Sequence, residues 1–158
     1  MKVWHRLYEK LIIIENVVSG YEQFCVGKKK KKDVLAFERN REDNLFALYQ
    51  SLKDKTYQPG NYSKFYVKDP KLRLIHKATV ADRVVHHIVS NELEKIFEPT
   101  FYAHSYSCRK KRGTHRGVLA FQKLALKASR NNTKVCWAVK CDVKKFFAHI
   151  DHVVLSKI

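Results

Sequence analysis

A single carboxylate, Asp142, follows closely after a run of apolar and β-prone residues that extends from Val135 to Val139. Such a run is typical of a strand that is buried on both faces of a sheet. An ionised carboxylate at the end of a buried strand must be hydrogen-bonded, paired or bound to a metal, because its desolvation is otherwise costly. The pattern predicts a polar site built on Asp142, and a turn or cap residue is the alternative interpretation.

Basic side chains form two dense clusters, a lysine run from Lys28 to Lys32 and a second run from Arg109 to Arg112. The chain carries 32 Lys and Arg against 15 Asp and Glu, which gives a formal net charge of +17. This excess favours a polyanionic partner, since each neutralised phosphate releases condensed counterions. No apolar run approaches the ~20 residues of a membrane span, so nucleic acid is favoured over a membrane. For each cluster, a solvated loop is the alternative to a phosphate contact.

The cysteine and histidine patterns argue against a zinc site. The four cysteines form no Cys-x-x-Cys pair, and the eight histidines show no second ligand pair at zinc-finger spacing. We therefore expect reduced thiols in a cytoplasmic protein. The hydrophobic fraction of 45% argues against disorder, and the length allows one domain or a piece of a larger one.

Apolar periodicity and turn signals predict the elements that must position these residues. Thr79-x-x-Asp82 is typical of a capping box, and Pro99 marks the end of the helix that this box opens. The stretch from Tyr62 to His76 predicts a β-hairpin with several basic side chains. The other predicted elements are helices at about 4–24, 33–52 (with Asp33 as its cap) and 114–127, a strand at 135–139, a tight segment at 143–150 and a short helix after Asp151.

Three blocks of the sequence resemble, in order, the fingers and early palm of bacterial reverse transcriptases. The first, Phe65 to Phe101, is similar to the family's basic hairpin, its Asp-Arg-Val helix and its Glu-Pro-x-Phe stop. The second, Ser105 to Val118, is similar to a Ser-Tyr segment with a glycine-punctuated basic turn, and the third, Lys134 to His152, resembles motif A. The sequences of the first two blocks most resemble those of the enzymes of diversity-generating retroelements, followed by group II intron and retron enzymes.

The resemblance implies an α/β (α+β) fold in which helical fingers surround a β-hairpin and lead into the first palm strand of a right-hand polymerase. It implies an N-terminal helical extension at 1–30, fingers at 31–133 and an incomplete start of the palm at 134–158. The family's Tyr-x-Asp-Asp hairpin, its later palm motifs and its thumb do not occur in these 158 residues. We therefore expect the N-terminal part of a longer enzyme, which does not extend a primer alone.

Carried over residue by residue, the resemblance implies that Asp142 is a catalytic ligand of magnesium (or manganese), with the carbonyl of Val143 beside it. Phe147 would lie under the sugar of the incoming nucleotide and exclude a 2′-hydroxyl. Lys68 and Arg73 of the hairpin would grip the triphosphate, with Lys71 as the alternative to Lys68. The implied template contacts are Arg109, Lys110, Lys111, Arg112 and Arg116.

The implied partners are an RNA template, a DNA primer and deoxynucleoside triphosphates, together with a small basic accessory protein if the chain is of the diversity-generating type. Two other functions stay open, a non-catalytic RNA-binding module and a maturase-like splicing cofactor. Asp82 is interpreted as a helix cap, and its neighbour Arg83 as either structural or template-contacting.

Overall fold

The computed structural model describes residues 4–157, which form a mixed α/β arrangement with one two-stranded antiparallel sheet. Its first compact unit ends at Phe101 and its second begins at Tyr102. The region boundaries predicted at residues 30 and 133 stay predictions. The elements are α1 (Leu7–Leu11), α2 (Ile14–Cys25), α3 (Lys32–Glu38), α4 (Arg41–Lys53), β1 (Ser63–Lys68), β2 (Leu72–Lys77), α5 (Val80–Phe97), a 3₁₀ turn (Glu98–Thr100), α6 (Gly113–Ala128), a second 3₁₀ turn (Phe146–His149) and α7 (His152–Leu155).

The core of the first unit lies between α2 and α5, with α3 and α4 packed against them. Phe24 of α2 and Val84 of α5 are almost completely buried. Gly20 allows the two helices to approach closely, because a Cβ at this position would lie 2.7 Å from Cγ1 of Ile88. Burial of these apolar side chains supplies the main stabilisation of the unit.

Two helices that the sequence predicts as continuous are each broken in the structure, so both of these predictions are wrong. Asn16 explains the first break, because its side-chain amide donates to the carbonyls of Lys10 and Leu11 at 3.0 and 3.1 Å. Asn44 acts in the same way at the second break, where its amide donates to the carbonyl of Phe37 at 2.9 Å. Such side-chain bonds satisfy the orphan carbonyls at a helix end and allow the chain to turn there.

The hairpin and the helix that follows it are confirmed. Strands β1 and β2 pair in antiparallel register, with Ser63 opposite Lys77 and Lys68 opposite Leu72. Thr79 and Asp82 form the predicted capping box at the start of α5, in which each side chain accepts a backbone N–H of the other residue. The helix ends at Phe97, before Pro99, as the sequence predicts.

The second unit confirms α6 and α7 but not the strand before Asp142. Residues 135–143 have no regular structure, and Trp137 in the middle of the apolar run is 92% exposed. The prediction of a buried strand at 135–139 is therefore wrong for this structure. A strand needs a neighbour for its backbone N–H and C=O groups, and the described residues of this unit contain no second strand. Asp151 caps α7 by accepting from the N–H groups of Val153 and Val154.

The four cysteines are free, as predicted, with Cys25 buried and the others exposed. Among residues 4–157, no helix is both long enough and apolar enough to cross a membrane.

Candidate functional site

The predicted triphosphate-binding residues lie at the tip of the hairpin, and the register decides which of them share a face. Val67 pairs with Arg73, and Lys68 pairs with Leu72. Residues directly opposite in a sheet project to the same side, and neighbours along a strand project to opposite sides. Lys68 and Arg73 therefore lie on opposite faces of the hairpin. Lys71 lies in the turn that connects the two strands, so the register does not assign it to either face.

The base of the hairpin is fixed to the helical core by a charged network around Asp33. The Asp33 carboxylate accepts from Lys77 of β2 at 2.8 Å and from Arg83 of α5. Burial alone would raise the pKa of this carboxyl, but the hydrogen bonds and charges of Lys77 and Arg83 outweigh it and lower the pKa from 3.8 to about 2. The network therefore fixes the base of the hairpin to the helices, while the tip of the hairpin remains exposed.

The network also corrects the prediction for Asp33 and clarifies that for Arg83. Asp33 lies in the first turn of α3, whose N-cap is Lys31, so Asp33 is not the cap of that helix. Arg83 donates from Nε to the carbonyl of Thr79 at 3.1 Å, and its guanidinium carbon lies 4.7 Å from the ring centroid of Phe24. These contacts favour the structural interpretation of Arg83. No local pattern in the sequence indicates the network, because Asp33 and Arg83 are 50 positions apart.

A second polar cluster attaches the segment before the hairpin to α5. The Asp82 carboxylate accepts from the hydroxyl of Tyr57 and from the backbone N–H of Gly60. Burial would raise the pKa of Asp82, but these bonds and those from Thr79 lower it. Burial and the adjacent Asp82 raise the pKa of Tyr57. Because both carboxylate oxygens accept hydrogen bonds, Asp82 holds the segment before the hairpin against the start of α5.

The predicted template contacts lie in a tight basic loop just before α6, except for Arg116, which lies in the first turn of α6, and they divide into two groups. Arg109 donates to the carbonyls of Tyr102 and Ser105, both at 3.0 Å, and Arg112 donates to the carbonyl of Ala103 at 3.3 Å. These half-buried arginines organise the loop. The exposed members are Lys110, Lys111 and Arg116.

The loop is also shaped by a close contact between Tyr106 and Gly117. A Cβ at Gly117 would lie 3.3 Å from Cγ of the Tyr106 ring, so the ring lies against the backbone of α6. Together with Cys108, Gly113 and Phe121, these residues line a shallow cleft of about 500 Å³ beside the basic loop. The Ser-Tyr segment and the glycines of this sequence block therefore meet in the structure.

Asp142, Val143 and Phe147 lie in the irregular part of the second unit. Asp142 is exposed, and no hydrogen bond or ion pair to another described residue is formed by its carboxylate. The ring of Phe147 is 84% exposed and touches Phe146 edge-on, with ring centroids 5.2 Å apart. Lys68 and Arg73 belong to the first unit, whereas Asp142 and Phe147 belong to the second.

The donors at Asp142 fit a magnesium ion in type. A carboxylate and a backbone carbonyl are the hard oxygen ligands that this ion takes, and an exposed carboxylate can still coordinate through one or two protein oxygens with water completing the shell. Among the described residues, no group of three or more His, Cys, Asp or Glu side chains could together hold a metal ion. A magnesium ion at Asp142 would need further oxygen ligands beyond those that the described residues bring together.

Comparison with known proteins matches residues 66–157 to the family described as reverse transcriptase (RNA-dependent DNA polymerase). The group II intron-encoded protein LtrA of Lactococcus lactis subsp. cremoris is 28% identical to the chain over 160 residues, which cover 98% of the chain and 26% of LtrA. The LtrA of strain MG1363 of this subspecies gives the same values. The chain thus spans about a quarter of the length of the curated relatives it matches. The matched region includes Asp142, Phe147 and the basic loop before α6.

Proposed function

The chain belongs to the reverse transcriptase family, and we propose that it forms the fingers and the start of the palm of an RNA-directed DNA polymerase. The observation that carries this proposal is Asp142, an exposed carboxylate that follows a β-prone apolar run inside the matched region. The match to a group II intron protein supports a retroelement origin. A diversity-generating retroelement, with its small basic accessory protein, is the finer proposal.

The proposed substrates are an RNA template, a DNA primer and deoxynucleoside triphosphates. Asp142 and the carbonyl of Val143 would hold magnesium or manganese, which when bound activates the attacking 3′ oxygen and stabilises the leaving pyrophosphate. Phe147 would close the space beside the 2′ carbon of the incoming sugar, so that a 2′-hydroxyl does not fit. This exposed ring is free to contact a nucleotide, whereas Phe146 is the less exposed of the two.

The hairpin tip supplies the proposed triphosphate contacts. An arginine suits phosphate oxygens because its planar fork donates two parallel hydrogen bonds, and a lysine adds a point charge. Arg73 lies on the opposite face of the hairpin from Lys68, and Lys71 lies in the turn two positions before Arg73. We infer that Arg73 acts with Lys71 on the triphosphate, and that Lys68 contacts a phosphate on the opposite face.

The basic loop supplies the proposed template contact. Lys110, Lys111 and Arg116 are exposed and would meet the backbone phosphates, which fix position without reading sequence. Arg109 and Arg112 would act through the shape of the loop, because they donate to its carbonyls. Replacing Arg109 should therefore alter the loop, whereas replacing Lys111 should remove a contact and leave the loop intact.

Primer extension tests the polymerase proposal. The chain is assayed on an oligonucleotide-primed RNA template with magnesium or manganese, beside a longer polypeptide that continues in the same reading frame, with and without Asp142→Asn. The 158-residue chain should give no extension, because a two-metal site needs carboxylates from more than one strand. The longer polypeptide should extend the primer and lose about 10²- to 10³-fold in rate with Asp142→Asn. Full activity of that variant would remove Asp142 from the metal site.

Nucleic-acid binding without polymerisation is the second candidate function, as a binding module or a splicing cofactor. It is favoured by the location of the core, since the first unit buries its own apolar side chains whereas the segment around Asp142 is exposed. The genomic sequence downstream separates the two candidates. A continuing frame that encodes Tyr-x-Asp-Asp supports a polymerase, and a stop codon supports a binding module.

A further inference from the structure

The lysine run at residues 28–32 forms an ordered turn after α2 and ends at Lys32, the first residue of α3. Gly27 begins it with a φ of +70°, a conformation that glycine adopts without strain. The N–H of Lys28 then donates to the carbonyl of Cys25 at 2.9 Å, and the N–H of Lys31 donates to the carbonyl of Lys28 at 3.0 Å. The turn therefore presents its lysines at fixed positions in the backbone.

Lys28 anchors this turn to the core and does not serve as a free cation. Its ammonium donates to the carbonyl of Phe24 at 2.9 Å and lies 5.1 Å from the centroid of the Phe24 ring. The next four lysines, 29–32, are exposed, and none of them forms an ion pair with another described residue. We call these four side chains the lysine turn.

The acidic residue next to the lysine turn is already engaged. Asp33 binds Lys77 and Arg83 through its carboxylate, so it does not neutralise the lysines that precede it in the chain. Four cations on consecutive residues without an ion-pair partner among the described residues repel each other, and an anion with several charges relieves this repulsion.

We propose that the lysine turn binds the phosphate backbone of a single-stranded RNA, as a contact of the first unit in addition to the basic loop before α6. The identification of RNA as the polyanion rests on the proposed function, whereas the requirement for a polyanion rests on the geometry above. Flexible ammonium groups bind phosphates as point charges without sequence preference. The lysine turn therefore contributes affinity and salt dependence, and it does not read bases.

The test uses the full chain and a fluorescent single-stranded RNA of mixed sequence. The variant Lys29→Gln/Lys30→Gln/Lys31→Gln/Lys32→Gln is compared with a control in which four exposed lysines elsewhere are replaced, Lys10→Gln/Lys53→Gln/Lys123→Gln/Lys134→Gln. Both variants lose the same net charge. Anisotropy titrations between ~50 and ~200 mM salt give the slope of log K against log salt, and thermal melts check that both variants remain folded.

The lysine-turn variant should reduce the magnitude of this slope by about 2 to 3, because each phosphate contact on a single strand contributes ~0.7. Its affinity at the lowest salt concentration should fall at least about 10-fold, and the slope of the control should change by less than about 1. Equal losses in the two variants would overturn the proposal, since only net charge would then matter. Binding to vesicles that contain anionic lipid is measured in parallel. If the wild-type chain binds these vesicles more tightly than RNA, and this binding depends on the same lysines, the proposal is also overturned.

The outcome is separable from that of the proposed function. Asp142-dependent extension by the longer polypeptide, with no effect of the lysine-turn variant on RNA binding, would overturn this inference alone. A smaller salt slope in the lysine-turn variant, without any primer extension by the longer polypeptide, would support RNA binding by the lysine turn and contradict the polymerase proposal.

Discussion

The two units of this chain differ in where their apolar side chains lie. In the first unit, Phe24 and Val84 are 1% and 0% exposed and belong to a core shared by four helices. In the second unit, Phe121 of α6 and Trp137 are 61% and 92% exposed, and the only buried residue that the structure describes there is Ser129. The unit that carries the hairpin is stabilised by its own buried core, whereas the unit that carries Asp142 leaves exposed the apolar side chains whose burial would stabilise it.

This difference separates the two roles proposed for the chain. Binding of phosphates needs cations on a stable support, which the first unit provides with the hairpin and the lysine turn. Metal-dependent chemistry needs a carboxylate held to within a fraction of an ångström, and an extended segment gains that precision from neighbouring strands. Asp142 is therefore expected to reach its working geometry only when other strands pair with residues 135–139.

The largest expected effect is on the core of the first unit. Phe24→Ala removes a fully buried ring and should reduce the free energy of unfolding by about 3–5 kcal/mol. Phe121→Ala is the matched control, because this ring is exposed, and it should change the free energy by less than about 0.5 kcal/mol. Urea unfolding followed by circular dichroism measures both values. Similar losses in the two variants would contradict the contrast between the units.

A pair of glycine substitutions sharpens the same contrast at smaller magnitude. In Gly20→Ala the new Cβ meets Cγ1 of Ile88 at 2.7 Å inside the core, and such overpacking costs about 1–3 kcal/mol. In Gly117→Ala the nearest atom, on the ring of Tyr106, lies at 3.3 Å and can move toward solvent. Because alanine favours a helix over glycine by about 1 kcal/mol, Gly20→Ala should destabilise and Gly117→Ala should be neutral or stabilising in the same urea experiment. A reversed order would show that α6 is the more tightly packed helix.

The smallest effect concerns the acid stability of the network at the hairpin base. Asp33 has a folded pKa of about 2, below its ordinary 3.8. Its ion pairs therefore stabilise the fold fully above pH ~4, and this contribution is lost as the pH falls toward 2. Asp33→Asn should lower stability by about 1 kcal/mol at pH 7, since the side chain is partly exposed, and the difference from wild type should vanish near pH 2.

Urea unfolding at several pH values measures this dependence, and Asp142→Asn is the control. The Asp142 side chain is exposed and unpaired among the described residues, so Asp142→Asn should change the free energy of unfolding at pH 7 by less than about 0.5 kcal/mol. A constant difference between wild type and Asp33→Asn from pH 7 to pH 2 would show that the network does not depend on the ionised carboxylate.

The features that the sequence predicted correctly are those that depend on local signals. The capping box at Thr79 and Asp82, the hairpin and the stop before Pro99 each need only a few neighbouring residues, and each is confirmed. The helix breaks were missed, because Asn16 and Asn44 cap carbonyls across the break and look like ordinary polar positions within a helix.

The features that the sequence could not predict depend on distant partners. Asp33 was interpreted as a cap, because its real partners, Lys77 and Arg83, come from elements far along the chain. The run at 135–139 has the composition of a strand, but composition reports only how well residues fit a sheet once neighbours are present. The opposite faces of Lys68 and Arg73 follow from the register, which the sequence left open.

Hydrogen exchange of residues 135–143 tests most directly the claim that Asp142 lies in a segment that needs partner strands. In the 158-residue chain, the amides of α2 and α5 should be strongly protected, whereas those of 135–143 should exchange as fast as an unstructured peptide, because they form no regular structure. In a longer polypeptide that continues in the same reading frame and supplies partner strands, the same amides should become protected. Strong protection of 135–143 in the 158-residue chain alone would contradict the account.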